Sequence, residues 1–364
     1  MKIHYYKELD GVRALAVLMV MFFHFFQSGE IAQHTWQGLQ KISIFGQTGV
    51  TLFFILSGFL ITRILLATKN AGNYFSSFYI RRTLRIFPLY YLYLLLFYFL
   101  FPSITGQSVV PFSLQVYNWV YLQDFAQTFK WKFSGPDHFW SLAVEEHFYL
   151  FWPFLIYFFD KRKIIISIFL LIAVSFLVRI YLLSEQYEVY YFTFSRMDDL
   201  ALGSLLAILE VEKKLDSSKS GRFIFLFAGV LVPTILMWTI FSGAHNTLIQ
   251  VIKFNLISLV YFSLIGCIIS VKESSWVKKL FKINPLLYTG KISYGLYVYH
   301  PACFWLFSLF IKTNSILFNF FGSFAFAYLT ATLSYYLIEQ KFLGMKKYFE
   351  YKKGAVALVV ARNK

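Results

Sequence analysis

Charged residues are scarce in this sequence: Asp, Glu, Lys and Arg make up 14% of its 364 residues. Because soluble domains carry about 25% charged residues, this scarcity argues against a water-soluble fold. Cysteine is rarer still, and both cysteines, Cys267 and Cys303, lie inside apolar runs. A disulfide framework is therefore excluded as the basis of the fold. The sequence also contains no low-complexity segment, no obvious internal repeat and no long linker to a soluble domain.

Hydrophobic residues dominate instead, at 58% of the chain, and 22% of all residues are aromatic. Many apolar runs approach or exceed about 18 residues, the length at which a helix can cross a bilayer. Backbone groups in lipid must be hydrogen-bonded internally, which favours helices. The sequence therefore predicts an all-α polytopic membrane protein. No small-x-small cleavage site follows the first run, so we expect no cleaved signal peptide.

We predict a single integral membrane domain over residues 1–345 and a cytoplasmic tail over residues 346–364. The domain is expected to contain about ten spans, at residues 11–28, 47–66, 86–102, 139–159, 164–183, 197–211, 223–243, 249–271, 287–311 and 317–339. With the N-terminus inside, most of the 34 Lys and Arg residues fall in cytoplasmic segments. The positive-inside rule then predicts that both termini are cytoplasmic. The same distribution explains the net charge of +16 without nucleic acid.

Two polar side chains, Arg13 and His24, lie within the first apolar run. At about 100° and 1.5 Å per residue, they share one helix face and are roughly 16 Å apart along the axis. Arg13 is then expected near the inner surface and His24 near mid-bilayer. Asp10, three residues before Arg13, is placed to pair with it. Titratable groups at membrane depth suggest function; the alternative is an interfacial arginine and a histidine that bonds a neighbouring helix.

A basic cluster, Arg81, Arg82 and Arg85, opens the third predicted span. Arginines at an inner interface are common for topological reasons alone. Together with Arg13 and Arg63, however, these guanidinium groups could converge on one surface. Such a surface would bind the phosphates of a cytoplasmic ligand through bidentate hydrogen bonds.

The fourth predicted span begins with two histidines and two carboxylates. Glu145 and Glu146 are adjacent, so at most one of them can face the other polar groups. Neither carboxylate forms a strong metal-ligand spacing with His138 or His147. We therefore expect no metal site.

Polar residues also occur in the sixth, ninth and tenth predicted spans. Arg196 and Asp199 are three residues apart and are predicted to pair, which turns Asp198 elsewhere. His300 is either a satisfied structural histidine or part of the site. Glu339, at the inner end of the last span, is expected to pair with an inner arginine.

These residues form two layers, with arginines in the inner half and His24, Glu145, Asp198 and His300 deeper or outside. The arrangement suits a reaction between an anionic cytoplasmic donor and an acceptor from the membrane or exterior. We expect one continuous cavity that joins the basic layer to a lone imidazole, that of His24.

The same residues lie in motifs that resemble those of the membrane acyltransferase-3 family, bacterial O-acyltransferases that modify surface carbohydrates. The resemblance covers about residues 8–342. Its pieces occur in the family order: LDGVRALAVLMVMFFH, FFILSGFLI, RRTLRIFPLYY, HFWSLAVEEHFY, RMDDLALGSLLA, KISYGLYVYH and YYLIEQ.

The resemblance implies ten helices in the bacterial inner membrane and a cytoplasmic acyl-CoA donor, most simply acetyl-CoA, with no tightly bound cofactor. The acceptor would be a hydroxyl of a carbohydrate or lipid-linked glycan. Catalytic roles are implied for Arg13, His24 and Glu145, and donor binding for Arg13, Arg81, Arg82 and Arg85. We assign acceptor binding to Arg196, Asp198, His300 and Asp10.

Three departures from the family pattern are visible. His147 stands where the family usually has Gln, and EQK replaces the common E-x-P, which leaves the role of Glu339 open. No hydrolase-like domain follows the tenth span, so we expect no second, external transferase module.

The alternative function is a proton-coupled carrier or sugar exporter, although no Gly/Pro-interrupted spans recur in matching halves. Acceptor identity, acyl group and oligomeric state stay open.

Overall fold

The computed structural model describes residues 4–27, 37–240, 247–311, 313 and 315–352. Throughout these ranges the regular secondary structure is helical, which confirms the predicted all-α class. Seven helical segments are long and apolar enough to cross a membrane: Glu8–Gln27, Gly38–Thr68, Tyr74–Thr105, Lys161–Ser184, Ser217–Trp238, Leu248–Ser270 and Ile316–Phe349. The chain is therefore a multi-pass membrane protein.

The first half of the described chain contains eight α-helices: α1 (Glu8–Gln27), α2 (Gln37–Ser43), α3 (Gly49–Thr68), α4 (Tyr74–Leu95), α5 (Phe101–Thr105), α6 (Phe112–Trp119), α7 (Gln123–Thr128) and α8 (Trp140–Phe158). The second half contains α9 (Lys161–Ser184), α10 (Thr193–Val211), α11 (Ser220–Ile240), α12 (Thr247–Ser270), α13 (Trp276–Phe281), α14 (Asn284–Lys291), α15 (Ser293–Phe310), α16 (Ile316–Ser334) and α17 (Gln340–Met345). Short 3₁₀ turns occur at Ile44–Thr48, Asp137–Phe139, Ser217–Lys219 and Lys346–Phe349, and π-helical turns at Leu96–Leu100 and Tyr335–Glu339.

Three of the ten predicted spans are formed as helices but are not among the seven apolar segments. They correspond to α8, α10 and α15, which carry Glu145, Asp198 and His300 respectively. More than half of the residues in each helix are buried. These helices pack against protein, which tolerates polar side chains that lipid would not. The count of ten spans and the cytoplasmic placement of the termini stay predictions.

Helices α3 and α10 pack with their backbones in contact. A Cβ atom at Gly58 would lie 2.0 Å from the Leu200 carbonyl oxygen, and one at Gly203 would lie 2.0 Å from that of Ile55. Small residues permit this close approach in membrane helices. The contact fixes α10 at the centre of the bundle.

Helix α1 is held at its N-terminal end by α13 and α14. Gly11 lies against the Phe281 carbonyl and Gly290 against the Asp10 carbonyl, at distances that leave no room for a Cβ atom. Glu8 adds a buried ion pair with Lys278, 3.2 Å apart. This clamp sets the depth of Arg13 and His24.

The segment after the last long helix folds back onto α4. Arg81 Nη1 donates to the Lys346 carbonyl at 2.8 Å, and Asn73 Nδ2 donates to the Glu350 carbonyl at 2.9 Å. The Lys352 N–H donates to Asn73 Oδ1 at 2.8 Å. The start of the predicted tail is thus docked. The rest of it, residues 353–364, lies outside the described residues, as do the last positions of the first and seventh predicted spans.

Candidate active site

A cavity of about 650 Å³ opens between α1, α3, α4, α8 and α15, next to the docked C-terminal segment. We call it the basic cavity, because five arginines contribute to its lining: Arg13, Arg63, Arg81, Arg82 and Arg85. The sequence predicts this convergence, and the structure brings all five guanidinium groups to one void.

Two of these arginines have carboxylate partners. Arg13 Nη1 donates to Asp10 Oδ1 at 2.6 Å, the predicted i,i+3 pair. Arg63 Nη2 donates to Glu210 Oε1 at 2.8 Å and to the His4 carbonyl at 2.9 Å. Their charges are largely neutralised within the protein.

Among the residues that the structure describes, the other three arginines are not paired with an acid. Arg81 donates to a main-chain carbonyl, and the Arg82 guanidinium lies 5.6 Å from the centre of the Tyr149 ring. Across the described ranges, neither Arg82 nor Arg85 has a carboxylate within 4 Å. Lys346 also lines the cavity. The cavity therefore carries excess positive charge and is suited to an anionic ligand.

One carboxylate, Glu145, lines the cavity among the residues that the structure describes. Ser57 Oγ donates to Glu145 Oε1 at 2.6 Å, and the Tyr149 hydroxyl donates to Oε2 at 3.0 Å. Glu146 does not line the cavity, so one of the two adjacent carboxylates faces it, as predicted. The two hydroxyls hold Glu145 in a fixed orientation towards the void.

The far end of the basic cavity is closed by Ser141 and Tyr297. Their hydroxyl groups are hydrogen-bonded to each other, and the Tyr297 hydroxyl also donates to the His138 carbonyl at 2.7 Å. Directly behind Tyr297 lie two imidazoles: its ring centre is 5.6 Å from that of His138 and 6.0 Å from that of His300.

His24, His138 and His300 form a histidine cluster behind this closure. His24 Nδ1 and His300 Nε2 are 2.8 Å apart, and the ring centres of His138 and His300 are 5.5 Å apart. The expectation of a lone imidazole in a continuous cavity is therefore wrong on both points. Helix periodicity places His24 on the correct face but does not reveal which other helices meet there. His138 is the member that sequence reasoning did not select, although it lies in a quoted motif.

Arg196 and Asp198 are not part of the basic cavity. Arg196 Nη2 pairs with Asp199 Oδ2 at 2.9 Å, as predicted, and Asp198 pairs at 2.5 Å with Arg179, which sequence reasoning missed. We call these four residues the buried ion network; each is at most 2% exposed. Their contacts join α9 to α10. Acceptor binding by Arg196 and Asp198 stays a prediction without a contact to the cavity.

Glu339 lacks the arginine partner expected for it. It is buried, its Oε1 atom has no hydrogen-bond partner among the described residues, and no arginine there lies within 4 Å. A Cβ atom at Gly295 would lie 3.0 Å from this oxygen, so Gly295 makes room for the carboxyl group.

The described ranges contain no group of three or more His, Cys, Asp or Glu placed to hold a metal ion.

Comparison with known proteins adds to this geometry. The peptidoglycan O-acetyltransferase OatA of Listeria monocytogenes is 29% identical over 321 residues, which are 81% of this chain and 49% of that protein. The O-acetyltransferase OatA of Staphylococcus aureus is 30% identical over 356 residues, 92% of this chain and 57% of that protein. The chain thus spans about half the length of the curated relatives it matches. No solved structure matches it.

The family match covers nearly the whole chain. The family described as "Acyltransferase domain" matches residues 6–339, which include the basic cavity's arginines, Glu145 and the histidine cluster. Together with the quoted motifs and the multi-pass helical fold, this match shows that the chain belongs to the membrane acyltransferase-3 family.

Proposed function

We propose that this protein is a membrane O-acetyltransferase that moves an acetyl group from acetyl-CoA to a carbohydrate hydroxyl. One observation carries the proposal: in a member of an acyltransferase family, unpaired guanidinium groups surround a cavity that ends beside a histidine cluster. A carrier is the alternative that the sequence left open. We set it aside because family membership favours an enzyme.

The proposed donor site is the basic cavity. Its volume lies within the range of about 300–1,000 Å³ that is usual for ligand pockets. Arg82 and Arg85, which have no acid partner among the described residues, can form bidentate hydrogen bonds to the phosphates of a CoA nucleotide. Arg13 lines the same cavity and, although paired with Asp10, is a further proposed donor contact. The positive-inside distribution assigns this end to the cytoplasm, where acyl-CoA is available.

The proposed chemistry uses His24 as the general base. The acceptor hydroxyl oxygen attacks the thioester carbonyl carbon, so that a C–O bond forms and the C–S bond breaks. The hydroxyl proton passes to His24 and then to the CoA sulfur, which leaves as the thiol. Histidine suits this role because its ordinary pKa lies near the working pH. A transient acyl-His24 is a variant of the same reaction that stays open.

The acyl arm must pass Tyr297 to reach His24, because the Ser141–Tyr297 pair closes the cavity. We propose that rotation of the Tyr297 side chain opens this passage when the donor is bound. Glu145, held by Ser57 and Tyr149 just below, would then orient the arm or the acceptor. A third residue that orients the reacting groups is common around an activated nucleophile.

The proposed acceptor is a carbohydrate of the bacterial cell envelope. One relative is named a peptidoglycan O-acetyltransferase, so peptidoglycan is the first acceptor to test. Other surface polysaccharides and lipid-linked glycans are the next candidates. We place the enzyme in the bacterial plasma membrane, where donor and acceptor are on opposite sides.

The test is acetyl transfer by purified protein in lipid vesicles, with labelled acetyl-CoA and peptidoglycan fragments. His24→Ala is expected to reduce the rate by about 10²-fold or more if His24 is the base, while acetyl-CoA still binds. The matched control is His147→Gln, which removes an imidazole outside the cluster and should retain activity. Unchanged transfer by His24→Ala would falsify this assignment.

A further inference from the structure

The hydrogen bonds of His300 determine which of its ring nitrogens carries a proton. His300 Nδ1 lies 2.9 Å from the Leu296 carbonyl oxygen, and the Tyr297 carbonyl is a second main-chain partner of this ring. A carbonyl can only accept, so Nδ1 must carry the hydrogen. Pro301, the next residue in α15, has no N–H and cannot donate to the carbonyl four residues earlier, that of Tyr297. This carbonyl is therefore left available to His300.

The proton on His300 Nδ1 in turn assigns the tautomer of His24. In a neutral imidazole with a protonated Nδ1, Nε2 is an acceptor. The bond of 2.8 Å between His300 Nε2 and His24 Nδ1 therefore needs the hydrogen on His24. The Val20 carbonyl, four residues earlier in α1, is a further acceptor for this ring, in the same relation as Leu296 to His300. His24 Nε2 is left with its lone pair and with no partner among the described residues.

We propose that His300 is a positioning residue that holds His24 as the Nδ1–H tautomer, so that Nε2 is the basic nitrogen. The inference rests on the proposed function and refines the role of His300, which the sequence assigned to acceptor binding. When Nε2 takes the hydroxyl proton, His24 becomes an imidazolium ion. Its bond to His300 then becomes charge-assisted and stronger, while His300 keeps its own proton on Nδ1.

A neutral partner suits this depth in the membrane. In the serine hydrolase triad an aspartate orients the histidine, but a carboxylate would bury a second charge, which is costly in a bilayer. His300 is 0% exposed and its Nδ1–H is bound to main-chain atoms that cannot reorient. The acceptor lone pair is therefore presented in one direction only.

His138 provides a comparison within the same cluster. Its Nε2 atom bonds to the Val298 carbonyl at 3.1 Å, and its ring centre is 6.3 Å from that of His24. It packs beside His24 without bonding to it among the described contacts. A substitution at His138 therefore disturbs the packing of the cluster but not the tautomer of His24.

The first measurement is ¹⁵N NMR of histidine-labelled protein in nanodiscs, with the His24 signals assigned by their loss in His24→Ala. We expect His24 to be protonated at Nδ1 in the unsubstituted protein. A His24 signal protonated at Nε2 overturns the inference, whatever the enzymatic activity proves to be. Because this measurement needs no turnover, its failure and the failure of the proposed function are distinguishable.

The second measurement compares acetyl transfer by three variants. His300→Leu removes one of the two acceptors of the His24 Nδ1–H and should lower kcat by about 10-fold, the net contribution of one buried hydrogen bond, with the KM for acetyl-CoA unchanged. His300→Gln restores an acceptor oxygen and should recover most of the loss, whereas His138→Leu should lose less than His300→Leu. Equal losses in His300→Leu, His300→Gln and His138→Leu indicate packing alone and overturn the inference.

Discussion

Two regions of this protein enclose arginine side chains, fully in the buried ion network and partly in the basic cavity, and they treat the charge in opposite ways. In the buried ion network Arg179 and Arg196 each have an aspartate partner, and Ser258 Oγ also donates to Asp199. In the basic cavity Arg82 and Arg85 face a void without a carboxylate partner among the described residues. The same residue type is thus neutralised within the protein in one region and left charged in the other.

The difference indicates what each region is for. A buried charge is tolerated when its partner is close, and removal of that partner then destabilises the fold. A group of charges without internal partners needs a counter-ion, and a void beside it gives the counter-ion a place. We therefore interpret the buried ion network as scaffold and the basic cavity as ligand site.

The largest expected effect is on stability, from the buried ion network. Asp198→Ala leaves Arg179 charged and without its carboxylate partner at a position that is 0% exposed. We expect a loss of about 3–5 kcal/mol in the free energy of unfolding, measured by thermal or denaturant unfolding in detergent. Asp216→Ala, at an exposed site, is the matched control and should change little. Equal stability of the two variants would contradict the scaffold interpretation.

The next effect is on donor binding, from the basic cavity. Arg85→Gln removes a charged donor that has no internal acid partner, so the fold should lose little stability. We expect the KM for acetyl-CoA to rise about 10- to 100-fold, since a hydrogen bond to a charged group contributes about 1.5–3 kcal/mol. Kinetics in vesicles measure this, with Arg162→Gln at an exposed site as control. If Arg85→Gln strongly lowers stability and leaves the KM unchanged, Arg85 belongs to the scaffold and not to the ligand site.

A smaller effect is expected from the carboxylate of the cavity. Glu145→Gln keeps the size of the side chain and removes a negative charge next to the proposed phosphate site. We expect kcat to fall about 10-fold, because one of the two orienting hydrogen bonds is weakened, while donor affinity stays equal or rises. Glu146→Gln, adjacent in sequence but outside the cavity, should have less effect on kcat. A larger fall in kcat for Glu146→Gln than for Glu145→Gln would show that Glu146, not Glu145, acts in the site.

The smallest effect concerns another buried acid, Asp124 in α7, outside the long apolar helices. Its Oδ2 accepts from the Thr193 N–H and hydroxyl, and His147 Nδ1 lies 3.7 Å away. Burial raises the pKa of Asp124 to about 7. Below about pH 4 the carboxyl group is neutral in both the native and the unfolded state, and Asp124→Asn should there change stability by less than about 1 kcal/mol.

The pH dependence gives the sign of this effect. An acid whose pKa is raised by folding contributes stability below its unfolded pKa, near 4, and loses it as the pH rises through about 7. The unsubstituted protein should therefore lose stability between pH 4 and 7, and Asp124→Asn should lose less. Unfolding midpoints across this range measure it. Identical pH profiles for the two proteins would show that folding does not raise the pKa of Asp124.

Local patterns allowed a large part of both regions to be predicted from the sequence. The i,i+3 pairs Asp10–Arg13 and Arg196–Asp199 follow from helix geometry alone, and both are formed. The convergence of the cavity arginines follows from their common position at one end of their helices. The all-α class follows from composition, since lipid leaves few alternatives to a helix.

Contacts between helices that are distant in sequence could not be predicted in the same way. Periodicity gives the face of each helix but not its neighbour, so Arg179 was not recognised as the partner of Asp198. For the same reason His300 was assigned to the acceptor, and the Tyr297 closure was not foreseen. Asp198 on α10 and Tyr297 and His300 on α15 lie on helices that are not among the seven apolar segments and are enclosed by other helices, whereas Arg179 lies on α9, which is one of those segments.

The central claim is that the unpaired, half-buried arginines Arg82 and Arg85 mark the donor site, whereas the paired arginines of the buried ion network belong to the scaffold. The most direct measurement is a cryo-EM structure of the protein with CoA bound. The account expects nucleotide density inside the basic cavity, with phosphates in contact with Arg82 and Arg85 and with the Arg179–Asp198 and Arg196–Asp199 pairs intact. Nucleotide density elsewhere, or phosphates bound by Arg179 or Arg196, would contradict it.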